Sequence, residues 1–257
     1  MLNLNARHQL KNLLPIGMVA TKPWLLAQGL NLHFIDNAVK SRTLLALTPG
    51  VYAREEKPLH WKGIVTSLQR MSSEPVHVGG LSALDLEGLS HYQARGKTPL
   101  IHLFSASPLP AWLYKIEIDA TVEWHGVQRL WPASVMNNST FLREDHWRES
   151  LPTLVYSGPE KAVLELLANV PDNISFEHAD QLMQGLATLS PRKLDALLKS
   201  SCSIKVKRLF FWLANRYRHA WLNYLNPDQY ELGTGKREIA KGGSLDKAWQ
   251  ITVPREM

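Results

Sequence analysis

Apolar positions in the first fifty residues repeat at helical spacing and then give way to two short apolar runs. In residues 5–13 (NARHQLKNL), Leu10 and Leu13 recur on one face, and Pro15-Ile16-Gly17 closes the segment. A second short helix is expected between Thr21 and Gly29. Thr21 is an N-cap residue type, Pro23 sits in the first turn where its missing N–H costs nothing, and Gly29 is a stop. The chain restarts at Asn31, another N-cap type. On a 3.6-residue wheel, residues 32 to 42 place Leu32, Ile35, Ala38 and Val39 on one side with Phe34 at its margin. His33, Asn37 and Lys40 fall opposite, within about 60° of one another. After Ser41 and Arg42, LLALTPGVYAR offers two apolar runs around Thr48-Pro49-Gly50, the pattern of a hairpin. Helix, glycine turn, helix and hairpin is the order of a winged helix-turn-helix, and it makes DNA the first partner to consider.

Beyond the hairpin, Trp61, Ile64, Val65 and Leu68 recur at helical spacing, and VHVGGLSALDLEGL predicts a short strand, a Gly79-Gly80 turn and a short helix. A polar break from Gln93 to Pro99 puts a domain boundary near residue 96, dividing the chain into residues 1–95 and 96–257. The second part opens with strand candidates PLIHLFSA, AWLYKIEI, VEWHGVQRL and LPTLVYS. From Gly158 it turns to helices: PEKAVLELLANV, SFEHADQLMQGLATL, PRKLDALLKS and IKVKRLFFWLANRYRHAWLNYL. Strands followed by helices predict an α+β fold, not a doubly wound sheet. The expected fold class is therefore α+β, an N-terminal winged helix-turn-helix followed by a mixed α+β C-terminal domain.

Composition narrows the setting. A hydrophobic fraction of 45% with 20% charged residues is ordinary globular composition. The single cysteine, Cys202, excludes an internal disulfide and any multi-cysteine zinc site, and beside Ser201 and Ser203 it is expected to be a buried structural thiol. No window approaches the roughly 20 apolar residues of a membrane span and no signal-peptide core is evident, so a cytoplasmic protein without a membrane partner is expected. The net charge of +6 is unevenly spread: residues 1–100 carry eleven basic and six acidic residues, 101–198 seven and twelve, and 199–257 eleven and five. Two basic segments bracket an acidic one. The first agrees with DNA binding, because neutralising phosphates supplies most non-specific affinity.

The exposed trio on the second helix suits a groove. Asn37 can pair bidentately with adenine, Lys40 can reach guanine or phosphate, and His33 can donate to either, each good base contact being worth about 1–3 kcal/mol of discrimination. Ser41, Arg42 and Arg54 are the expected phosphate contacts, and Asp36 on the flank would repel phosphate or accept from cytosine. In the last segment, Val206, Phe210, Leu213 and Tyr217 form an apolar stripe, with Lys205, Lys207, Arg208, Phe211, Trp212 and Arg218 around it and Lys236, Arg237 and Lys241 downstream. Basic and aromatic side chains so mixed can grip a nucleic-acid backbone. Alternatively, Phe211 and Trp212 are covered by another helix and the basic heads form a solvated rim.

Active-site signatures fail. GTGK lacks the GxxxxGK[ST] of a phosphate loop, since Tyr230 stands five residues before Gly235 and Arg237 follows Lys236. The ten histidines show no HExxH and no paired ligand spacing, and Gly79-Gly80 lacks a dinucleotide glycine pattern. No catalytic residue, cofactor site or metal site is expected, and the chain is not expected to be an enzyme.

Several stretches in one order give the chain a resemblance. LLAQGL, LLALTPGVYAR and HVGGLSALDLEGL in the first part, then SGPEKAVLELLANVP, GLATLSPRKLDALLKSS, KVKRLFFWLANRYRHAWL, LGTGKREI and ITVP, resemble the AbiEi family of type IV toxin-antitoxin systems. The resemblance implies an antitoxin that is also a transcriptional regulator, binding inverted repeats in its own promoter through an N-terminal winged helix. It implies a C-terminal domain needed for antitoxicity and an operon partner, a nucleotidyltransferase toxin, neutralised without a tight complex. The cationic set Lys205, Lys207, Arg208, Arg218, Lys236 and Arg237 is the candidate antitoxin surface, acting on RNA or on the toxin. Ser41-Arg42-Thr43 departs from the Gly-containing turn usual before the wing, and Thr48-Pro49 stands where a basic residue commonly precedes the glycine, so Arg42 and Arg54 are expected to supply the wing's charge. Two other readings stay open: a DNA-binding regulator whose second domain senses a ligand or partner without antitoxicity, and an RNA- or nucleotide-acting enzyme.

Overall fold

The computed structural model describes residues 4–55, 59–90 and 98–257. Helix α1 (Leu4–Leu13) is followed by β1 (Ala20–Thr21), α2 (Lys22–Ala27), α3 (Leu32–Lys40) and the hairpin β2 (Leu45–Thr48) and β3 (Val51–Ala53). The three strands form a small sheet in the order β1-β3-β2. Local chemistry sets the helix starts: Thr21 accepts a hydrogen bond from the Trp24 N–H at 3.4 Å, and Asn31 Oδ1 accepts from the Phe34 N–H at 2.7 Å. Gly29 and Gly50 take positive φ at the turns the sequence marks. Leu10, Leu14, Met18, Ala20, Leu25, Leu30, Phe34, Ile35, Ala38, Leu44 and Tyr52 close a core of their own.

The rest of the chain is built on a second core. Helix α4 (Trp61–Met71) leads to β4 (Val76–Val78), α5 (Gly80–Leu86), β5 (Leu100–Ser105), β6 (Thr121–Gly126), α6 (Ala133–Met136), β7 (Leu142–Asp145) and β8 (Leu154–Ser157). Then come α7 (Pro159–Ala168), α8 (Phe176–Gly185), α9 (Pro191–Ser200), α10 (Ile204–Tyr217) and the closing hairpin β9 (Ser244–Asp246) and β10 (Ile251–Val253). The five-stranded sheet runs β6-β5-β4-β8-β7, with β6/β5 and β4/β8 parallel and the other pairs antiparallel. A mixed sheet with helices gathered after it is the α+β arrangement. Helix α7 is buried from Pro159 to Leu167 and α10 from Val206 to Ala214, so these two are the axes of the helical layer. No described helix is long and apolar enough to cross a membrane.

The boundary expected near residue 96 lies outside the described residues. The cores themselves divide earlier: β4, from before that point, is the middle strand of the large sheet, and Leu59, Trp61, Ile64 and Val65 bury in the same core as α7 and α10.

Two expected elements differ, and one strand, β7, has no counterpart among the expected ones. AWLYKIEI is not a strand; residues Ala111–Tyr114 form a 3₁₀ turn after Pro110, and Leu113 and Ile116 are buried three residues apart while Tyr114 is exposed. Strand β7 (LRED) carries no apolar alternation because it is an edge strand, paired to β8 alone. The long final helix stops at Tyr217, where Arg218 turns left-handed at φ 51°, and a 3₁₀ segment Ala220–Tyr224 follows. Cys202, expected buried, is exposed; its backbone N–H is held by the Leu130 carbonyl at 3.0 Å while the thiol faces solvent.

Candidate nucleic-acid interface

Helix α3 is seated by Phe34, Ile35 and Ala38, which are buried in the small core. Leu32, expected on that side, is exposed, because the buried arc is centred between Phe34, Ile35 and Ala38 and leaves the first residue at its outer edge. The opposite arc carries His33 and Lys40 in solvent, with Asn37 partly covered beside them. Asn37 Nδ2 and His33 Nε2 are 2.9 Å apart, one turn along the helix. The imidazole therefore braces the amide, while Asn37 Oδ1 and its second N–H stay free for a base edge. Asp36 does not stand as a bare negative charge on this face: Lys22 Nζ pairs with its Oδ1 at 3.0 Å, and that hydrogen bond raises the Lys22 pKa.

The turn after α3 explains why a glycine is dispensable there. Ser41 Oγ donates to the Ala38 carbonyl at 3.2 Å and bonds Thr43 Oγ1 at 3.0 Å, so this hydroxyl is engaged within the turn. Arg42 itself adopts the left-handed conformation at φ 55°, and its side chain is exposed. Arg54, expected as a free phosphate contact, is half-buried and donates through Nη1 to the Leu14 carbonyl at 3.1 Å. Arg70 does the same for the Leu13 carbonyl at 3.1 Å while its guanidinium lies over the Trp24 ring. The two arginines cap the C-terminal carbonyls of α1 and tie it to the wing and to α4. Sequence reasoning missed Arg70, whose partners lie 46 and 57 positions away.

A family model described as "Transcriptional regulator, AbiEi antitoxin N-terminal domain" matches residues 4–94, and another described as "Transcriptional regulator, AbiEi antitoxin, Type IV TA system" matches residues 98–254. The chain belongs to the AbiEi family of type IV antitoxin transcriptional regulators. Its members are transcriptional regulators and antitoxins, and a winged helix-turn-helix is consistent with such a regulator. The fold is also that of the RV2827C protein from Mycobacterium tuberculosis, at a TM-score of 0.53 and 16% identity over 91% of this chain and 85% of the other. No curated protein matches the chain.

In the C-terminal part of this AbiEi protein half of the expected cationic surface is drawn into the fold. Lys207 and Arg208 are buried, at 4% and 3% exposure. Arg208 donates to the carbonyls of Leu232, Gly233, Gly235 and Gln250 at 2.7–3.1 Å, so GTGK is a loop folded around a guanidinium, with carbonyls rather than N–H groups turned inward. Lys205 is partly covered and reaches the Ala168 carbonyl at 3.0 Å. Phe211 stacks on Trp249 at 5.1 Å and Trp212 meets Phe176 edge-on, so neither ring is offered to bases. Three of the six residues remain exposed: Arg218, Lys236 and Arg237.

A polar network absent from the sequence reading lies under the large sheet. The Glu165 carboxylate of α7 is fully buried; it pairs with His77 Nε2 at 2.7 Å and accepts from Ser157 Oγ at 2.8 Å, Trp131 Nε1 at 3.1 Å and the Gly80 N–H at 3.2 Å. Lys161, one turn away, is 3.7 Å from the same carboxylate. Burial pushes the Glu165 carboxyl up, but the facing His77 and Lys161 and these donors outweigh it and hold it below the usual range. Burial and the Lys161 charge hold His77 low. Gly79-Gly80 is explained here: a Cβ on Gly79 would collide with Glu165 Oε2 and the Phe104 ring.

Proposed function

We propose that the chain is the antitoxin of a type IV toxin-antitoxin pair and represses its own operon by binding inverted repeats in its promoter. The observation that carries this reading is α3, whose apolar arc is sealed in the small core while His33, Asn37 and Lys40 line the opposite arc, with Asn37 braced by His33. In this reading Asn37 pairs with an adenine edge, Lys40 reaches guanine or phosphate, His33 orients Asn37 and touches a neighbouring base, and Arg42 holds a phosphate. Ser41 and Arg54 act by shaping the turn and seating the wing. An inverted repeat engages two chains on one site. Residues 1–95 carry DNA reading and 96–257 carry antitoxicity, with strand β4 joining the two.

The functional partner is the nucleotidyltransferase toxin of the same operon, neutralised without a tight complex. Antitoxicity works from the exposed cations Arg218, Lys236 and Arg237, directed at RNA or at an acidic or nucleotide-bound face of the toxin. The deciding experiment titrates the full-length protein against its own upstream promoter fragment and a length-matched random fragment in about 0.15 M salt, where non-specific binding is suppressed. A preference of about a hundredfold, reduced by Asn37→Ala, supports the reading; equal weak binding to both fragments overturns it. For antitoxicity, reversing the charge of Arg218, Lys236 and Arg237 together abolishes rescue of cells from the toxin; a folded triple variant that still rescues removes the assignment.

A further inference from the structure

The parallel pairing of β5 and β6 sets His102 beside Glu123 and Phe104 beside His125. Side chains two apart on a strand share a face, so this register turns His102, Glu123 and His125 to one side of the sheet. Their ligand-capable atoms all lie within 4.8 Å of one another, and among the described residues this is a group of three suited to holding a metal ion. His102 Nδ1 is 2.9 Å from His125 Nε2 and 3.6 Å from Glu123 Oε2. Donors bound to a tetrahedral ion at about 2.1 Å stand about 3.4 Å apart, so seating an ion needs the two rings to part by about 0.5 Å, with the Glu123 carboxylate, within 4.8 Å of both, adjusting its rotamer to meet it.

The surroundings favour ligation over a chance contact. His102 is buried, and its Nδ1 lies between His125 Nε2 and the Glu123 carboxylate, so three ligand groups suited to a metal converge at the edge of the sheet. The Asn169 side chain is a further hydrogen-bond partner of His125. Asn173 Nδ2 donates to Glu123 Oε1. Such outer partners orient ligands in metal sites. Phe104 stacks on His125 at 4.8 Å and closes the side toward His77, while the Glu123 side chain, 30% exposed, leaves an open approach for the ion and a water.

We propose that His102 Nδ1, His125 Nε2 and the Glu123 carboxylate form a binding site for one divalent transition-metal ion, with zinc the best match to two imidazoles, one carboxylate and an open position. His102 shifts its ring proton from Nδ1 to Nε2 as the ion enters, and the ion joins β5 to the sheet's edge strand β6. The site uses neither the winged helix nor the exposed basic residues, so it is independent of the function proposed above. Sequence inspection had no route to it, because Glu123-x-His125 is an ordinary strand spacing and its third member comes from another strand.

The test is titration of the chelator-treated, full-length protein with Zn²⁺ against a competing indicator, with Co²⁺ as a spectroscopic substitute. One equivalent of Zn²⁺ binds, it raises the Tm, and Co²⁺ gives an absorption spectrum of nitrogen and oxygen ligation without the charge-transfer band of a thiolate. Glu123→Gln and His125→Asn, both at partly exposed positions, each weaken binding at least tenfold, while Cys202→Ser leaves it unchanged. Absence of stoichiometric binding of Zn²⁺ or Co²⁺, or binding that survives both variants or depends on Cys202, overturns the site.

Discussion

In the winged helix, Lys40 and Arg42 stand in solvent, and among the described residues 4–55 no charged side chain is buried. In the C-terminal part, Lys161, Glu165, Lys207 and Arg208 all lie inside. Both ends of the chain are basic, yet one keeps its charge available and the other folds much of it inward. The difference follows from what each core has to satisfy. Eleven apolar side chains and a short sheet fill the small core, whereas the larger part folds a glycine-rich loop and a sheet-to-helix junction whose polar backbone groups need internal partners.

The sharpest challenge to that contrast is Glu165→Ala. Removing a buried carboxylate that answers His77, Lys161, Ser157, Trp131 and a backbone N–H is expected to cost about 3–5 kcal/mol in urea unfolding. A cost of the size of a surface substitution would show that the network contributes nothing. The same network makes the fold acid-labile. His77 is held below its ordinary 6.5, so the native state resists protonation; its contribution is complete above that pH and is lost as pH falls toward the lowered folded value. Glu165, also lowered, adds a second loss below 4.5. Lys161 and Glu165 of α7 and the Phe104 ring are the groups facing His77. A Tm measured against pH falls on the acid side, and His77→Gln, which keeps a donor to Glu165 without a titrating ring, flattens the upper part of that fall.

Next in size is Arg208→Met, expected to cost about 2–4 kcal/mol through the loss of charged hydrogen bonds to four carbonyls. Lys236→Ala, in the same basic segment but exposed, changes stability by no more than about 0.5 kcal/mol. Equal effects in thermal unfolding would erase the distinction between inward and outward charge.

On the winged helix the pattern reverses, with effects on DNA rather than on folding. Asn37→Ala loses about 1–3 kcal/mol of discrimination at one or two base pairs in competition binding, with Tm unchanged. His33→Ala weakens the same preference by less, since it leaves the amide in place without its brace. Smallest, and of mixed sign, is Arg42→Gly. Glycine relieves the left-handed backbone, stabilising by about 1 kcal/mol, while binding to all DNA sequences weakens and the salt slope falls by about one charge. Loss of stability would mean that the Arg42 side chain holds the turn.

Legibility in the sequence tracks the range of the interactions. Thr21, Asn31, Gly29 and Gly50 act on neighbours within a few residues, and each stands where its residue type predicts. The wheel for α3 puts His33, Asn37 and Lys40 on the arc that lies away from the core, but it places Leu32 inside and Phe34 at the margin, because periodicity gives the two faces and the packing partners choose the centre of the buried one. Strand β7 and the 3₁₀ turn at Ala111–Tyr114 escaped for a related reason: an edge position and a proline-led turn leave no clean period of two.

Local spacing and capping residues were enough to predict the winged helix and the α+β class, and the resemblance of several stretches in one order pointed to the family. Only the tertiary structure decided which charges are available. Arg208 reaches carbonyls 24–42 positions away, His77 meets Glu165 across 88 positions, and His102 and Glu123 become neighbours through the parallel register of two strands. A charged residue's burial is a balance between desolvation and partners, and those partners exist only once distant segments have been packed together.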